Sequence, residues 1–283
     1  SPYFIPMILP NMAAANISRI FGFKGFSSTV VTACAASTQS IGDAALLINN
    51  EMCDIVLAGG CESGITKLGL GGFSALRALS TQNEEPAKAS KPFDINRDGF
   101  VPAEGAGMFV IESEDHAIKR GANILCEIVG MGVSSDAHHP VQPDPSGDGA
   151  ILSMERALNN ANINNEEIDY INAHGTSTPL NDICETNALK KLFKEHAYKV
   201  PISSTKSMIG HVLGGAGALE GIATVLSIIN QKAHPTINLE TPDPECDLNY
   251  VPNKSVDVNI NYAMSNNFGF GGQNASIIFR KPS

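Results

Sequence analysis

A cysteine flanked by alanines is the residue in this chain best placed for covalent chemistry. Cys34 lies in the segment VVTACAAS, after a Val-rich run and at the predicted start of a helix. Unsatisfied backbone N–H groups and the positive end of the helix dipole favour a thiolate at such a position. The N–H of Cys34 itself is then available to hold a developing oxyanion. The alternative is a buried cysteine that acts as a small apolar side chain.

A histidine follows the predicted strand IDYINA. His174 is expected to emerge at the carboxyl edge of that strand, where α/β proteins build their sites. The hydroxyl groups of Thr176 and Thr178, in the GTST run that follows, are suited to binding the amides of an extended ligand. Their alternative role is capping of the helix predicted to begin near Pro179.

A second histidine and a lysine lie in the segment STKSMIGHVLGGAGALEG. His211 is predicted at the start of a Gly- and Ala-rich helix running from about Gly210 to Asn230. The glycines match neither GxGxxG nor GxxxxGK, so they favour tight helix packing over a nucleotide phosphate site. Lys206 is placed for a charge relay, or for an ion pair with Glu220 or Glu185, and the alternative is a solvated lysine.

Two phenylalanines lie among glycines near the end of the chain, in SNNFGFGGQNAS. Glycines beside Phe268 and Phe270 favour a loop that moves and a backbone N–H that points into a pocket. The alternative is an ordinary Gly-rich turn before the last strand.

A metal site is not expected. Asp136, His138 and His139 are close in sequence, but adjacent residues rarely converge on one ion. The six cysteines form no CxxC pair, which disfavours a zinc ribbon and is typical of free thiols in a reducing compartment.

Composition narrows the class of protein. The chain has 283 residues, 43% hydrophobic and 17% charged, so it is long enough to bury a large core. Its net charge of -10 disfavours nucleic acid or an anionic membrane as the main partner. No apolar run approaches the ~20 residues that span a bilayer, and the opening SPYFIPMILP lacks the pattern of a signal peptide. These features predict a soluble intracellular protein.

Val- and Ile-rich runs alternate with amphipathic stretches, which predicts a layered α/β fold. This alternation of predicted strands and helices occurs twice and predicts two halves, at 1–122 and 123–283. Strands are predicted at 29–33, 54–60, 106–113, 124–135, 168–175 and in the closing GGQNASIIF, with helices from about Cys34 and over 147–162 and 179–195. The polar segment 80–100 is expected to be a surface excursion.

Four motifs in this order resemble those of a known family. TACAAS, NAHGTSTPLND, STKSMIGHVLGGAGALEG and NNFGFGGQNAS are similar to motifs of the β-ketoacyl-acyl-carrier-protein synthases, and most similar to the elongating KAS II type. The stretches FDINRDGFVPAEGAGMFVIE and IPMILPNMAAANIS agree as well, so the resemblance covers nearly the whole chain. Family members carry a further N-terminal segment, and we therefore expect the first half to be incomplete.

The resemblance implies a thiolase-like fold, with two βαβαβαββ halves in a five-layer α-β-α-β-α sandwich, usually as a homodimer. It implies that Cys34 is the acylated nucleophile and that His174 and His211 serve decarboxylation and condensation. Lys206 would support the histidines, while Phe270 would be the gate and supply the second oxyanion N–H. The remaining residues implied at the site are Thr176, Thr178, Phe268 and Gly271 for substrate binding, and Asp182, Glu185 and Glu220 in support.

The implied reaction is a decarboxylative condensation that extends fatty acids. An acyl group on Cys34 would react with malonyl-acyl-carrier protein to give a 3-oxoacyl product and carbon dioxide. Neither metal nor organic cofactor is expected, because the phosphopantetheine arrives on the acyl carrier protein. The expected location is the bacterial cytoplasm, or a plastid-like organelle or mitochondrion in a eukaryote. The alternatives are a KAS I-type synthase, a polyketide ketosynthase, a thiolase-like acyltransferase that uses coenzyme A, and a noncatalytic carrier-protein-binding fragment.

Overall fold

The structure is a computed structural model, and it describes residues 2–282. The α-helices are α1 (Phe4–Ile8), α2 (Met12–Phe21), α3 (Ala36–Asn49), α4 (Lys67–Ala75), α5 (Glu114–Lys119), α6 (Asp148–Ala161), α7 (Pro179–Phe193), α8 (Lys206–Ile209) and α9 (Ala216–Asn230). The strands are β1 (Ile55–Glu62), β2 (Gly105–Glu112), β3 (Glu127–Ser135), β4 (Tyr170–Asn172), β5 (Ile202–Ser203), β6 (Lys232–Ala233), β7 (Val256–Asp257), β8 (Tyr262–Gly269) and β9 (Gln273–Arg280).

The larger sheet carries the second half of the chain. Its strand order is β3-β9-β8-β4-β5. Strand β4 is parallel to both β5 and β8, whereas β8, β9 and β3 pair antiparallel. With α6, α7 and α9 as the crossover helices, the chain order through this sheet is strand, helix, strand, helix, strand, helix, strand, strand. That order is the βαβαβαββ unit expected for one half of a thiolase-like fold, and the predicted fold class is confirmed.

The smaller sheet, β1 with β2, belongs to the first half. The two strands are antiparallel in one continuous register from Ile55↔Glu112 to Glu62↔Gly105. One face packs on α3 and α9. Four apolar side chains on its other face are exposed, namely Ile55, Leu57, Met108 and Val110. Among residues 2–282, the first half contributes these two strands, against five in the larger sheet.

Helices α3 and α9 pack against each other and lie between the two sheets. Small residues let α9 approach the smaller sheet closely: a Cβ on Gly107 of β2 would lie 3.0 Å from the Cβ of Ala218 in α9. Leu213–Asn230 is apolar enough for a membrane span by composition, with a mean hydropathy of 1.4. Its position between two sheets accounts for part of that apolarity, since 56% of the segment is buried, although Leu226 and Ile229 are exposed.

The opposite face of the larger sheet is covered by α6 and α7. Met154 of α6, Leu189 of α7 and Ile171 of β4 are completely buried in one apolar cluster. Phe93 joins this cluster and stacks on Tyr250, with ring centroids 3.6 Å apart. The larger core therefore lies on this side of the sheet.

Two of the predicted elements are wrong, and a third is correct only in part. Residues 29–32 form no strand, because no described strand lies beside them to take up their backbone hydrogen bonds. The helix predicted from Gly210 begins at Ala216, after a 3-10 turn over Leu213–Gly215. Segment 80–100 is only partly a surface excursion, since Phe93 is buried.

Strand β8 was not predicted, although it lies at the centre of the larger sheet. Its middle residues Ser265, Asn266 and Asn267 are all completely buried. Buried strands are usually apolar, so the polar SNN run suggested a loop. The actual turn after β8 is confined to 270–272.

Candidate active site

The predicted nucleophile lies on a tight turn at the start of α3. Ala33 has a left-handed backbone with φ of +49°, and residues 33–35 form a 3-10 turn that leads directly into the helix. A non-glycine residue in this conformation is uncommon and strained, and such strain occurs frequently at functional sites. Cys34 is 6% exposed. The predicted position at a helix start is confirmed.

The end of β8 lies directly against this turn. A Cβ on Gly269 would be 2.9 Å from the carbonyl oxygen of Thr32 and 3.0 Å from the backbone nitrogen of Cys34, so only glycine fits. The next residue, Phe270, directs its N–H toward the Cys34 thiol, as does the N–H of Cys34 itself. Two backbone donors therefore converge at the reactive sulfur, as the sequence comparison implied for Cys34 and Phe270.

Replacement of Gly269 by alanine should displace the end of β8 from Cys34. Because the Phe270 N–H moves with it, we expect acyl transfer to Cys34 to fall about 10²-fold, as when one oxyanion donor is lost. Stopped-flow or quenched acylation measures the rate. Gly71→Ala in α4 is the control, since no atom lies within 4 Å of the added Cβ. Equal acylation rates in both variants would contradict this role.

His211 is held beside Cys34 by backbone hydrogen bonds to the segment around residue 102. Its backbone N–H donates to the Val101 carbonyl (2.7 Å) and its own carbonyl accepts from the Ala103 N–H (2.9 Å). The preceding Gly210 has φ of +74°, and a Cβ there would lie 2.9 Å from the same Val101 oxygen. The ring Nε2 lies 3.2 Å from the Cys34 sulfur.

His174 follows the end of β4, as predicted. The Glu185 carboxylate accepts the backbone N–H groups of His174 and Gly175, each at 2.8 Å. The imidazole of His174 lies edge-on to that of His211, with ring centroids 5.4 Å apart. Glu185 therefore positions the backbone of His174 and does not contact its ring.

Lys206 is buried beneath His174 and is 1% exposed, so the interpretation as a solvated lysine is wrong. Its ammonium donates to the His174 carbonyl (2.6 Å) and lies 3.3 Å from His174 Nδ1. It pairs with Glu220 at 2.5 Å, which confirms one of the two predicted ion pairs; the structure has no ion pair between Lys206 and Glu185. A buried charge of this kind needs such a partner.

The neighbours of the two histidines determine which ring nitrogen carries the proton. The Lys206 ammonium has only hydrogens to donate, so Nδ1 of His174 must be the acceptor. The Leu213 N–H donates to Nδ1 of His211 at 3.2 Å in the same way. Both neutral rings therefore carry their hydrogen on Nε2.

This arrangement does not suit a metal ion, although the Cys34 sulfur and one ring nitrogen of each histidine lie within 4.8 Å of one another. Binding through Nε2 would move both ring protons to Nδ1, where each would face another donor. The Lys206 ammonium would also repel a cation. Nδ1 of His139 accepts the N–H groups of Val141 and Gln142.

Burial controls the protonation of the site. It lowers the pKa of both His174 and His211 well below the ordinary range, and the Lys206 charge lowers both further. Burial also raises the pKa of Cys34 to about 11, despite the opposing effects of Lys206 and the Phe270 N–H. The expectation of a thiolate at the helix start is therefore wrong, because desolvation outweighs the Lys206 charge and the backbone N–H groups that favour the thiolate.

The reactivity of Cys34 toward iodoacetamide should reveal this raised pKa. Since only the thiolate reacts, we expect the alkylation rate to rise about tenfold per pH unit from pH 7 to 10, without a plateau near 9. Mass spectrometry of the Cys34 peptide gives the rate, and N-acetylcysteine serves as the reference thiol. A plateau reached at or below pH 8 would show that the thiol is more acidic than burial allows.

The loop after His174 holds the predicted threonine pair. The hydroxyls of Thr176 and Thr178 lie 2.9 Å apart and bond each other. Thr178 precedes α7 but makes no side-chain capping bond, so the capping alternative is wrong for its hydroxyl. Asp182 accepts the Thr176 N–H (3.0 Å) and pairs with Arg97. Asp182 therefore supports the loop that carries the hydroxyls, and binding of an extended ligand by that loop stays a prediction.

The other two predicted residues lie at the end of β8 and in the turn that follows it. The Phe268 ring meets the His174 ring edge-on, with centroids 5.7 Å apart. Gly271 is exposed with φ of +84°, and its N–H donates to the Pro140 carbonyl at 2.8 Å. Its N–H is thus already used within the protein, and its role in substrate binding stays a prediction.

Comparison with known proteins agrees with this geometry. Residues 1–117 match the model of the β-ketoacyl synthase N-terminal domain, and residues 125–240 match that of the C-terminal domain. The chain is 50% identical over 281 residues to 3-oxoacyl-[acyl-carrier-protein] synthase 2 of Coxiella burnetii, covering 99% of this chain and 68% of that protein. The chain belongs to the β-ketoacyl synthase family. The corresponding protein of Synechocystis is 48% identical with the same coverage.

Solved β-ketoacyl synthases share the whole fold. A β-ketoacyl synthase from Burkholderia phymatum superposes with a TM-score of 0.93 at 40% identity, covering 97% of this chain and 66% of that one. A type II polyketide ketosynthase, solved in complex with its acyl-carrier protein and bound to the hexaketide, has a TM-score of 0.94 at 40% identity, covering 96% and 67%.

Sequence reasoning missed three residues of this β-ketoacyl synthase site. The Phe100 ring packs edge-on against His211, with centroids 5.2 Å apart. The Arg97 guanidinium lies 2.7 Å from Asp243 and donates to the Thr178 carbonyl. Asn267 bonds to Glu220. The polar residues inside FDINRDGF and SNNFGFGG were the available signal, because a polar side chain next to buried apolar residues needs a specific partner.

Proposed function

We propose that this chain condenses an acyl group held on Cys34 with malonyl-acyl-carrier protein, giving 3-oxoacyl-acyl-carrier protein and carbon dioxide in fatty acid elongation. The observation that carries the proposal is the convergence of the Cys34 thiol, two backbone donors and two Nε2–H imidazoles in one buried site. A noncatalytic carrier-protein-binding fragment would have no need of this arrangement.

Acyl transfer comes first. The Cys34 sulfur attacks the thioester carbonyl of acyl-acyl-carrier protein, and the N–H groups of Cys34 and Phe270 stabilise the oxyanion. A contact of this kind contributes roughly 3 to 4 kcal/mol per donor. The new sulfur–carbon bond replaces the old one, and the proton that Cys34 loses ends on the sulfur of the departing phosphopantetheine thiol.

Decarboxylation of the malonyl thioester follows. Loss of carbon dioxide leaves the electron pair of the broken C–C bond as an enolate, whose oxygen needs hydrogen-bond donors. The Nε2–H groups of His174 and His211 supply them, because Lys206 and the Leu213 N–H occupy both Nδ1 atoms. Neutral imidazoles suit this role, and burial keeps both neutral at physiological pH.

Carbon–carbon bond formation completes the cycle. The enolate carbon attacks the acyl carbonyl on Cys34, and the same two backbone N–H groups hold the second oxyanion. The Cys34 thiolate then leaves and takes up a proton from water, which restores the thiol. Departure of carbon dioxide makes the step favourable without ATP. No resident metal or organic cofactor takes part in this scheme.

Acyl carrier protein is the proposed partner. We infer that the hydroxyls of Thr176 and Thr178, on the loop that follows His174, bind the amides of its phosphopantetheine arm. The polyketide ketosynthase named above was solved with its acyl-carrier protein, which supports this partner. The identities of 48% and 50% to synthases 2 exceed the 40% to the polyketide enzyme, which favours fatty acid elongation. A homodimer and a cytoplasmic or organellar location belong to the same proposal.

The test is formation of the condensed product. Purified chain is incubated with acyl-acyl-carrier protein and malonyl-acyl-carrier protein, and the carrier protein is analysed by intact mass spectrometry. The proposal predicts a 3-oxoacyl adduct with stoichiometric release of carbon dioxide. Transfer of acetyl groups from acetyl-coenzyme A without loss of carbon dioxide would instead favour the acyltransferase alternative.

A further inference from the structure

Asn267 makes hydrogen bonds on both sides of the site, near Cys34 and near the Lys206–Glu220 pair. It lies near the end of β8 and is completely buried. Its Oδ1 accepts the hydroxyl of Thr38 at 2.5 Å, and its Nδ2 donates to Glu220 Oε2 at 2.7 Å. Thr38 lies in α3 one turn after Cys34, while Glu220 is the partner of Lys206.

The orientation of the Asn267 amide follows from these neighbours. A carboxylate oxygen only accepts hydrogen bonds, so the NH₂ group must face Glu220. The carbonyl oxygen then faces Thr38, whose hydroxyl is free to donate. The same NH₂ group lies 3.5 Å from Nδ1 of His174, on the side where the Lys206 ammonium also lies. Asn267 thus presents a second positive hydrogen to the ring nitrogen that must remain an acceptor.

Helix packing is adapted to this contact. A Cβ on Gly217 of α9 would lie 2.0 Å from the Thr38 hydroxyl oxygen and 2.9 Å from Asn267 Oδ1. Glycine therefore allows α9 to approach α3 at the point where the hydrogen bond forms. Any larger residue would displace Thr38, Asn267 or both.

We propose that Asn267, held by Thr38, is a positioning residue that keeps Glu220 and Lys206 aligned on His174 and so preserves its Nε2–H form for decarboxylation. This inference rests on the proposed function. It assigns Asn267 to the malonyl step and leaves acyl transfer to Cys34 and the backbone donors.

The decisive variant is Asn267→Asp, which keeps the shape and replaces the NH₂ group by a carboxylate oxygen. The new carboxyl group lies against the Glu220 carboxylate and shares a proton with it, so no hydrogen faces Nδ1 of His174 any longer. Loss of that positive hydrogen makes the charged imidazolium easier to form, and the acid limb of malonyl decarboxylation should move to higher pH by about one unit. The other charged and titratable groups around His174 are Lys206 below it, Glu220 on α9, His211 and Cys34 across the site, and Glu185 at its backbone. At neutral pH the rate should fall about 10- to 100-fold.

Thr38 supplies a matched pair of variants. Thr38→Val removes the hydroxyl that holds the amide, and we expect decarboxylation to fall about three- to tenfold. Thr38→Ser retains the hydroxyl and should restore the wild-type rate. Each variant is checked for folding by its thermal midpoint before rates are compared.

The experiment measures carbon dioxide release from malonyl-acyl-carrier protein between pH 5 and 9, and acylation of Cys34 from acyl-acyl-carrier protein in parallel. The inference is supported by a shifted decarboxylation profile in a folded Asn267→Asp protein that still acylates Cys34. An unshifted profile, or a loss that is equal for both reactions at every pH, overturns it. A wild-type chain that performs neither reaction would instead refute the proposed function.

Discussion

Replacement of Cys34 by alanine should abolish condensation while malonyl decarboxylation continues. The thiol is the acceptor of the acyl group, so its loss should reduce product formation by at least about 10³-fold. The donors for the enolate are the Nε2–H groups of His174 and His211, which the substitution leaves in place. We therefore expect carbon dioxide release to remain within about tenfold of wild type. Product mass and carbon dioxide release are measured on the same sample.

The control for this variant is Cys61→Ala, which removes an exposed thiol outside the site. It should condense at the wild-type rate. Retained condensation in Cys34→Ala would exclude Cys34 as the nucleophile. Parallel loss of both activities would mean that the thiol also takes part in decarboxylation, contrary to the division of roles proposed here.

Replacement of Lys206 by methionine should have large effects on both catalysis and stability. Without the ammonium, Nδ1 of His174 loses its main donor and the ring is no longer held in the Nε2–H form. We expect decarboxylation to fall about 10²- to 10⁴-fold, as when a catalytic histidine loses the partner that orients it. The Glu220 carboxylate is also left buried without its cation, which should lower the free energy of unfolding by about 3 to 5 kcal/mol. Urea unfolding and carbon dioxide release measure the two effects.

A double variant separates these two effects. Lys206→Met with Glu220→Gln leaves no buried charge at either position, so most of the lost stability should return. Decarboxylation should stay low, because nothing restores the donor to His174. If the double variant regained activity together with stability, the role of Lys206 would be structural alone.

The three principal site residues could be predicted because each lies at the end of an element that the sequence pattern marks. Cys34 opens a helix after a Val-rich run, His174 ends an Ile-rich strand, and His211 precedes a Gly- and Ala-rich helix. The structure brings all three within 4.8 Å. Spacing along the chain does not reveal that convergence, because it depends on how α3, α9 and the larger sheet pack. The family motifs supplied that information.

Buried polar groups account for most of what the sequence did not reveal. Strand β8 carries Ser265, Asn266 and Asn267 at the centre of a sheet, where an apolar run is expected. Arg97 appears in a polar segment yet is 6% exposed, because Asp182 and Asp243 neutralise it from positions 85 and 146 residues away. Such partners are recognisable only once the fold is formed.

The protonation of Cys34 could not be predicted from the sequence either, because it also depends on the folded structure. A helix start favours a thiolate, and that tendency is a local property that sequence can indicate. The depth at which α3 is packed is not local, and burial raises the pKa of the thiol to about 11. The strand predicted at 29–33 failed for a related reason, since a strand requires a neighbour that its own residues do not specify.

The central claim is that Cys34 carries the acyl group, and mass spectrometry of the acylated protein tests it most directly. The chain is incubated with a medium-chain acyl-acyl-carrier protein, digested and analysed, with Cys34→Ala treated identically. The account predicts one acyl adduct, located on the Cys34 peptide of the wild-type chain and missing from the variant. A folded wild-type chain without an adduct, or with an adduct on another residue, would contradict it.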